Sequence, residues 1–221
     1  MLQRHDLLRV KPGGWPAVLA ASSGFHALEV GPRRLVAGWA ERGWPVIARR
    51  PATDDGGGGI AVGLPLPPAY GKLRLALSVP AELVAETVAA VPLSAAAASV
   101  PTAWRPQVEG LIVLGERLAL RPVLFGALLW QRLTGLPYLR PGSDIDLVWP
   151  RPTAKVLPDL LDTLDRLDTA GPVRLDGEIL LAAGSGVNWR ELRQEFRRPG
   201  GAVLVKSMDG ADIRCVRTLF A

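Results

Sequence analysis

Turn signals cut the first 80 residues into pieces too short for any long element: KPGGWP, VGPRR, RGWPV, DDGGGG and GLPLPPAYG follow one another at close intervals. Between them stand short apolar stretches, AVLAA, LVAGWA, PVIARR, IAVGLPL and KLRLALSV, of which LRLALSV alternates as a half-buried strand does. This half is therefore expected to be β-rich. Residues 81–91, AELVAETVAAV, are good helix formers after Pro80 and are read as a helix; the low-complexity PLSAAAASVP that follows marks a domain junction.

After Trp104 the texture changes to alternating helices and strands. The pattern predicts a helix over 106–118, a short strand RPVLFG, and a helix over 127–134 stopped by Gly135. SDIDLVW then reads as a strand closed by Pro150. A helix starting near Pro158 puts Leu157, Leu160, Leu161, Leu164 and Leu167 on one stripe and Asp159, Asp162, Asp165 and Arg166 on the other. Strand VRLDGEILL, helix NWRELRQEF and strands AVLVKS and DIRCVR complete the order. The expected fold is α/β (α+β): a small β-rich domain over 1–92, a linker over 93–105, and a domain of mixed sheet and helices over 106–221.

Composition narrows the chemistry. With 221 residues, 48% of them hydrophobic, the chain can bury real cores. Its single cysteine, Cys215, excludes an internal disulfide, and His5 and His26 give no zinc spacing, so a metal would sit on carboxylates. The first ten residues lack the apolar core of a signal peptide, and no apolar run nears the roughly 18–20 residues of a membrane span, so a cytoplasmic protein is expected. The net charge of +5 is shared by both halves, which is not the stripe of a nucleic-acid binder. Only Lys11, Lys72, Lys155 and Lys206 are lysines among 26 basic residues. Genomic base composition explains most of that bias, and arginine forks also suit phosphate and carboxylate partners.

Asp144 and Asp146 stand two apart in SDIDLVW, so on a strand both carboxylates leave one face, with Cα atoms roughly 6.6 Å apart. Such a pair repels itself and is suited to a hard divalent cation, Mg²⁺ or Mn²⁺. From the DxD alone, two solvated aspartates on an edge strand remain an equal reading. Gly126, 18 residues before Asp144, ends the strand VLFG and opens a helix at Ala127, where backbone N–H groups and the helix dipole can hold a phosphate. A further strand, VRLDGEI, offers Asp176 and Glu178.

This order of strand, glycine, helix, DxD strand and third carboxylate resembles the nucleotidyltransferase superfamily of the DNA polymerase β type, with Ala127 where that pattern has Gly or Ser. The segments RHDLL, VGLPLPPAYGKLR, LFGALLWQRLTGLPYLRPGSDIDLVW, RLDGEI, VNWREL and VLVK are similar to the holo-acyl-carrier-protein synthases of malonate decarboxylase, also called phosphoribosyl-dephospho-CoA transferases. The resemblance implies transfer from 2'-(5''-triphosphoribosyl)-3'-dephospho-CoA to a serine of the apo acyl-carrier subunit, with release of diphosphate. It implies Mg²⁺ (or Mn²⁺) on Asp144 and Asp146, with Asp176 as third ligand or as base and Glu178 as its substitute. Gly126, Ala127, Ser143, Lys72, Arg74 and Lys206 become the candidate phosphate contacts. Other readings are transfer to another hydroxyl acceptor, such as a citrate lyase carrier or a small metabolite, and a non-catalytic nucleotidyltransferase-like binding module. Arg190, Arg193, Arg197 and Arg198 either receive an acidic carrier or form a solvated helix face paired with Glu191 and Glu195.

Overall fold

A computed structural model describes residues 2–52, 58–71 and 73–220. Most of the DDGGGG run and the candidate phosphate contact Lys72 lie outside them. The chain divides into two compact units, Met1–Ala90 and Val91–Ala221.

In the first unit, strand β1 (Leu7–Val10) is followed by helices α1 (Trp15–Ala20), α2 (Ser23–His26) and α3 (Val30–Ala37). Strands β2 (Val46–Ala48), β3 (Ile60–Pro65), β4 (Arg74–Val79) and β5 (Val84–Val88) complete it. The strands form one antiparallel sheet in the order β4-β3-β2-β1-β5. Three helices thus join a region read as β-rich. The prolines that look like breakers in KPGGWP and VGPRR stand in first helical turns, Pro16 in α1 and Pro32 in α3, where no intrahelical N–H is required of them. Trp15 and Trp39 fill the core, and their indole N–H groups donate to the carbonyls of Val36 (2.8 Å) and Pro45 (2.9 Å).

The helix expected over 81–91 does not form. Ala81–Leu83 make one 3₁₀ turn, and β5 pairs with β1 through Leu7 with Val88, Leu8 with Thr87 and Arg9 with Glu86. Val84, Thr87 and Val88 are β-branched, and the free edge of β1 satisfies backbone groups that a short isolated helix would hold only marginally.

The second unit runs α4 (Arg105–Arg117), β6 (Val123–Leu124), α5 (Gly126–Thr134), β7 (Ile145–Trp149) and α6 (Leu157–Ala170). It continues with β8 (Leu175–Leu180), β9 (Gly186–Asn188), α7 (Trp189–Phe196), β10 (Ala202–Lys206) and β11 (Ala211–Cys215). The sheet order is β11-β10-β9-β8-β7-β6, with β7 and β8 parallel, joined by the α6 crossover, and the other pairs antiparallel. The expected leucine stripe of α6 is buried at Leu157, Leu160, Leu161 and Leu164.

Residues 93–105 are not a free linker. Leu93, Ala96 and Val100 are buried, the Leu93 N–H donates to Pro122 O (2.9 Å), and the Leu124 N–H donates to Val91 O (2.8 Å). The alanine-rich stretch reads as low complexity, but its small side chains pack in the second unit.

The polar side of α6 is matched by arginines. Asp159 pairs with Arg117 (2.5 Å), Asp165 with Arg193 (2.7 Å) and Asp162 with Arg197 (2.8 Å). Arg193 of α7 and Arg197 just past it are therefore held by α6, while Arg198 meets Glu195 at 2.9 Å. No helix among the described residues is long and apolar enough to cross a membrane.

Candidate functional site

Three elements converge around Asp146. The carboxylate rises from the second residue of β7, whose neighbours Ile145, Leu147 and Val148 are buried. Phe125 donates its backbone N–H to Asp146 O (3.2 Å), holding the turn into α5 against the strand. At that turn Gly126 has φ +67°, and a Cβ built there would overlap Asp146 Oδ2. Glycine is thus required twice, for its backbone conformation and because the carboxylate fills the space.

Asp176 is the register partner of Asp146 across the parallel β7–β8 pair, which puts the two side chains on one sheet face, on strands about 4.8 Å apart. Its Oδ1 accepts from Gly177 N (2.8 Å) and from Asn188 Nδ2 (3.0 Å). Both bonds fall on the same oxygen. Asn188 also caps α7, its Oδ1 accepting from Arg190 N (3.0 Å) and Glu191 N (3.3 Å). One side chain therefore ties the helix start to the Asp176 carboxylate.

Glu178 occupies a different environment. It is buried opposite Asn188, its side chain lies over Gly186, and Lys206 Nζ approaches Oε1 at 3.9 Å. Lys206, a candidate phosphate contact, thus stands beside a buried carboxylate. Asp176, not Glu178, is in register with Asp146.

Asp144 precedes the strand. Its Oδ2 accepts from Arg174 (3.2 Å), and the adjoining Ile145 N–H donates to Arg174 O (3.0 Å). Ser143 is engaged in a tight turn: its N–H donates to Arg140 O (2.9 Å), and its Oγ accepts the Arg140 N–H (2.9 Å). Ala127, in the first turn of α5, brings no hydroxyl. Arg74 belongs to the first unit, where it lines a cavity of about 830 Å³.

The start of β8 is clamped from behind. Arg190 Nη2 donates to Asp168 Oδ1 (2.6 Å) and to Leu175 O (2.7 Å), while Leu175 N donates to Asp168 Oδ1 (2.7 Å). Burial raises the Asp168 carboxyl, but the bonds from Arg190 and Leu175 outweigh it and hold the group below its ordinary value. Leu175 lies between Arg174 and Asp176, so this clamp fixes the backbone on which both stand.

The donor chemistry of Asp146 and Asp176 fits a hard divalent cation: two carboxylates in register on neighbouring strands, one of them packed against Gly126. Among the described residues, no three His, Cys, Asp or Glu side chains converge tightly enough to enclose an ion, since Asp144 is turned to Arg174. The sequence pattern pointed to Gly126, Asp144, Asp146 and Asp176. It missed Arg174 and Asn188, whose only local signals are a place two residues before Asp176 and a cap-type side chain before WREL.

Residues 3–90 match the family model of the phosphoribosyl-dephospho-CoA transferase MdcG N-terminal domain, and residues 89–216 match that of the C-terminal domain. The chain belongs to the phosphoribosyl-dephospho-CoA transferase family. A transferase of that name from Bradyrhizobium diazoefficiens is 38% identical over 208 residues, covering 93% of this chain and 87% of the relative. One from Xanthomonas euvesicatoria is 36% identical over 183 residues, covering 83% and 84%, and one from Xanthomonas campestris is 33% identical over 203 residues, covering 91% and 93%. No solved structure matches the chain. Gly126, Asp144, Asp146 and Asp176 all fall within the transferase family's C-terminal domain, and Arg74 falls within its N-terminal one.

Proposed function

We propose that the chain transfers the phosphoribosyl-dephospho-CoA group from its triphosphate precursor to a serine of the apo acyl-carrier subunit of malonate decarboxylase. The observation that carries this reading is the Asp146–Asp176 carboxylate pair, in register on parallel strands beside the glycine that opens α5. In the transfer, the serine Oγ bonds to the α-phosphorus. The bond from that phosphorus to the oxygen bridging the β-phosphate breaks, and diphosphate departs with that oxygen.

A Mg²⁺ (or Mn²⁺) held by Asp146 and Asp176, and by Asp144 once it parts from Arg174, would neutralise the triphosphate and stabilise the leaving diphosphate. The chain's own groups supply the rest. Gly126 and the backbone N–H groups after it present the positive end of α5 to a phosphate oxygen, a contact that needs no side chain and so tolerates Ala127. Asp176, its Oδ1 held by the bonds from Asn188 and Gly177, has Oδ2 left to serve as a ligand or to take the serine proton. Arg174 neutralises Asp144 before substrate arrives.

Mass spectrometry tests the reading directly. The apo carrier subunit, incubated with the protein, Mg²⁺ and the triphosphoribosyl donor, should gain the mass of the donor less diphosphate, and a carrier whose acceptor serine is alanine should gain nothing. No gain on the unmodified carrier overturns the assignment.

A further inference from the structure

Beside Asp144 the second unit opens a cleft of about 430 Å³, lined by Trp104, Arg140, Ser143, Asp144, Val173 and Arg174 among others. Its walls are braced by hydrogen bonds. Pro141 and Gly142, with φ +81° at the glycine, fit the two central positions of a type II turn, and the Arg140–Ser143 bonds close it. On the other side, the buried Gln107 donates to Leu167 O (2.9 Å) and Val173 O (2.8 Å) and accepts the Val173 N–H (3.2 Å).

Trp104 is unlike the buried Trp15, Trp39, Trp149 and Trp189: it is half-buried, sits where α4 begins, and lines the cleft. Arg140, Arg174 and Asp144 line the cleft, so its net charge favours an anion, and the Arg174 side chain is 58% exposed, within reach of a solvent-borne ligand. A flat aromatic face with two arginine forks is the chemistry that recognises a base and its adjoining phosphates.

We propose that this cleft receives the adenine nucleotide end of the donor, with Trp104 stacking the base and Arg140 and Arg174 pairing with phosphate oxygens. The proposal rests on the transfer reading for the identity of the donor. It assigns three residues a role in recognition, and it places the base beside Asp144.

Dephospho-CoA, which carries the base and a diphosphate but cannot be transferred, is the probe, and isothermal titration without metal is the measurement. Trp104→Leu should weaken it about tenfold, as loss of one base stack does, while Trp104→Phe stays near wild type. Arg174→Gln should weaken it about fivefold, an effect that shrinks as salt rises. With inorganic tripolyphosphate as probe, Arg174→Gln should still lose affinity and Trp104→Leu should not. Wild-type dephospho-CoA affinity in both Trp104→Leu and Arg174→Gln, with circular dichroism unchanged, overturns the cleft whether or not the wild type modifies the carrier. Failure of the wild type to modify the carrier, with dephospho-CoA binding still dependent on Trp104 and Arg174, overturns the transfer reading and leaves the nucleotide cleft standing.

Discussion

The carboxylate of Asp146 occupies the space that any side chain at Gly126 would need. A glycine in one element and an acid in another thus form a single steric unit, because the Cβ position of Gly126, whose φ is +67°, falls on the Asp146 carboxylate. Gly126→Ala must strain the backbone and displace the carboxylate together. It should cost about 1–3 kcal/mol of stability and lower transfer at least about tenfold. Urea unfolding and the carrier assay measure the two effects, and an alanine variant with wild-type values for both would show that the close approach is not needed.

Asp144→Asn and Asp146→Asn should each reduce transfer about a hundredfold or more, since each removes charge where the triphosphate is to be neutralised. Asp144 is partly exposed, with 29% of its side chain accessible, so its variant should keep its stability to within about 0.5 kcal/mol. Wild-type transfer by a folded Asp144→Asn protein at saturating Mg²⁺ would remove Asp144 from the metal assignment.

Asn188 acts on both stability and activity, and two substitutions separate these roles. Asn188→Ala loses the cap of α7 and the bond to Asp176, so stability should fall by about 1 kcal/mol and transfer should fall as well. Asn188→Ser keeps a capping oxygen but is too short to reach Asp176. Its unfolding midpoint should recover while its kcat does not; full recovery of kcat would reduce Asn188 to a cap.

The clamp behind β8 predicts an acid-sensitive stability. Asp168 is held below its ordinary carboxyl value in the folded chain, so as pH falls from about 4 the unfolded chain takes up that proton first. The stabilisation is complete above the unfolded value and is lost as pH falls through the folded one. Asp168→Asn should be less stable than wild type at pH 7, with the gap closing toward pH 3. A gap that stays constant across that range, read by urea unfolding, would show that the Arg190 pair is not what titrates.

Much of the second unit is legible locally. The leucine stripe of α6, the αL glycine after α5 at Gly135 and the alternation around SDIDLVW are short-range periodicities, and each element stands where they put it. Gly126, Asp144, Asp146 and Asp176 are likewise visible as residue types at element ends. The stretch 81–88 was not legible: its helix propensity is real, but the unpaired edge of β1 offers its backbone a better set of partners. The α7 arginines were equally ambiguous, since whether a basic face meets solvent, a partner or α6 depends on what packs beside it.

By itself, the sequence determined most helices and strands of the second unit, though not the short β9, and which carboxylates and glycine are available, because caps, turns and periodicity act over a few residues. Tertiary structure alone decided that Asp176 rather than Glu178 faces Asp146, that Asp144 meets Arg174, and that Asn188 reaches Asp176. Strand register and side-chain pairing between residues 12 to 30 positions apart are fixed by how whole elements bury their apolar faces, and no local pattern encodes that.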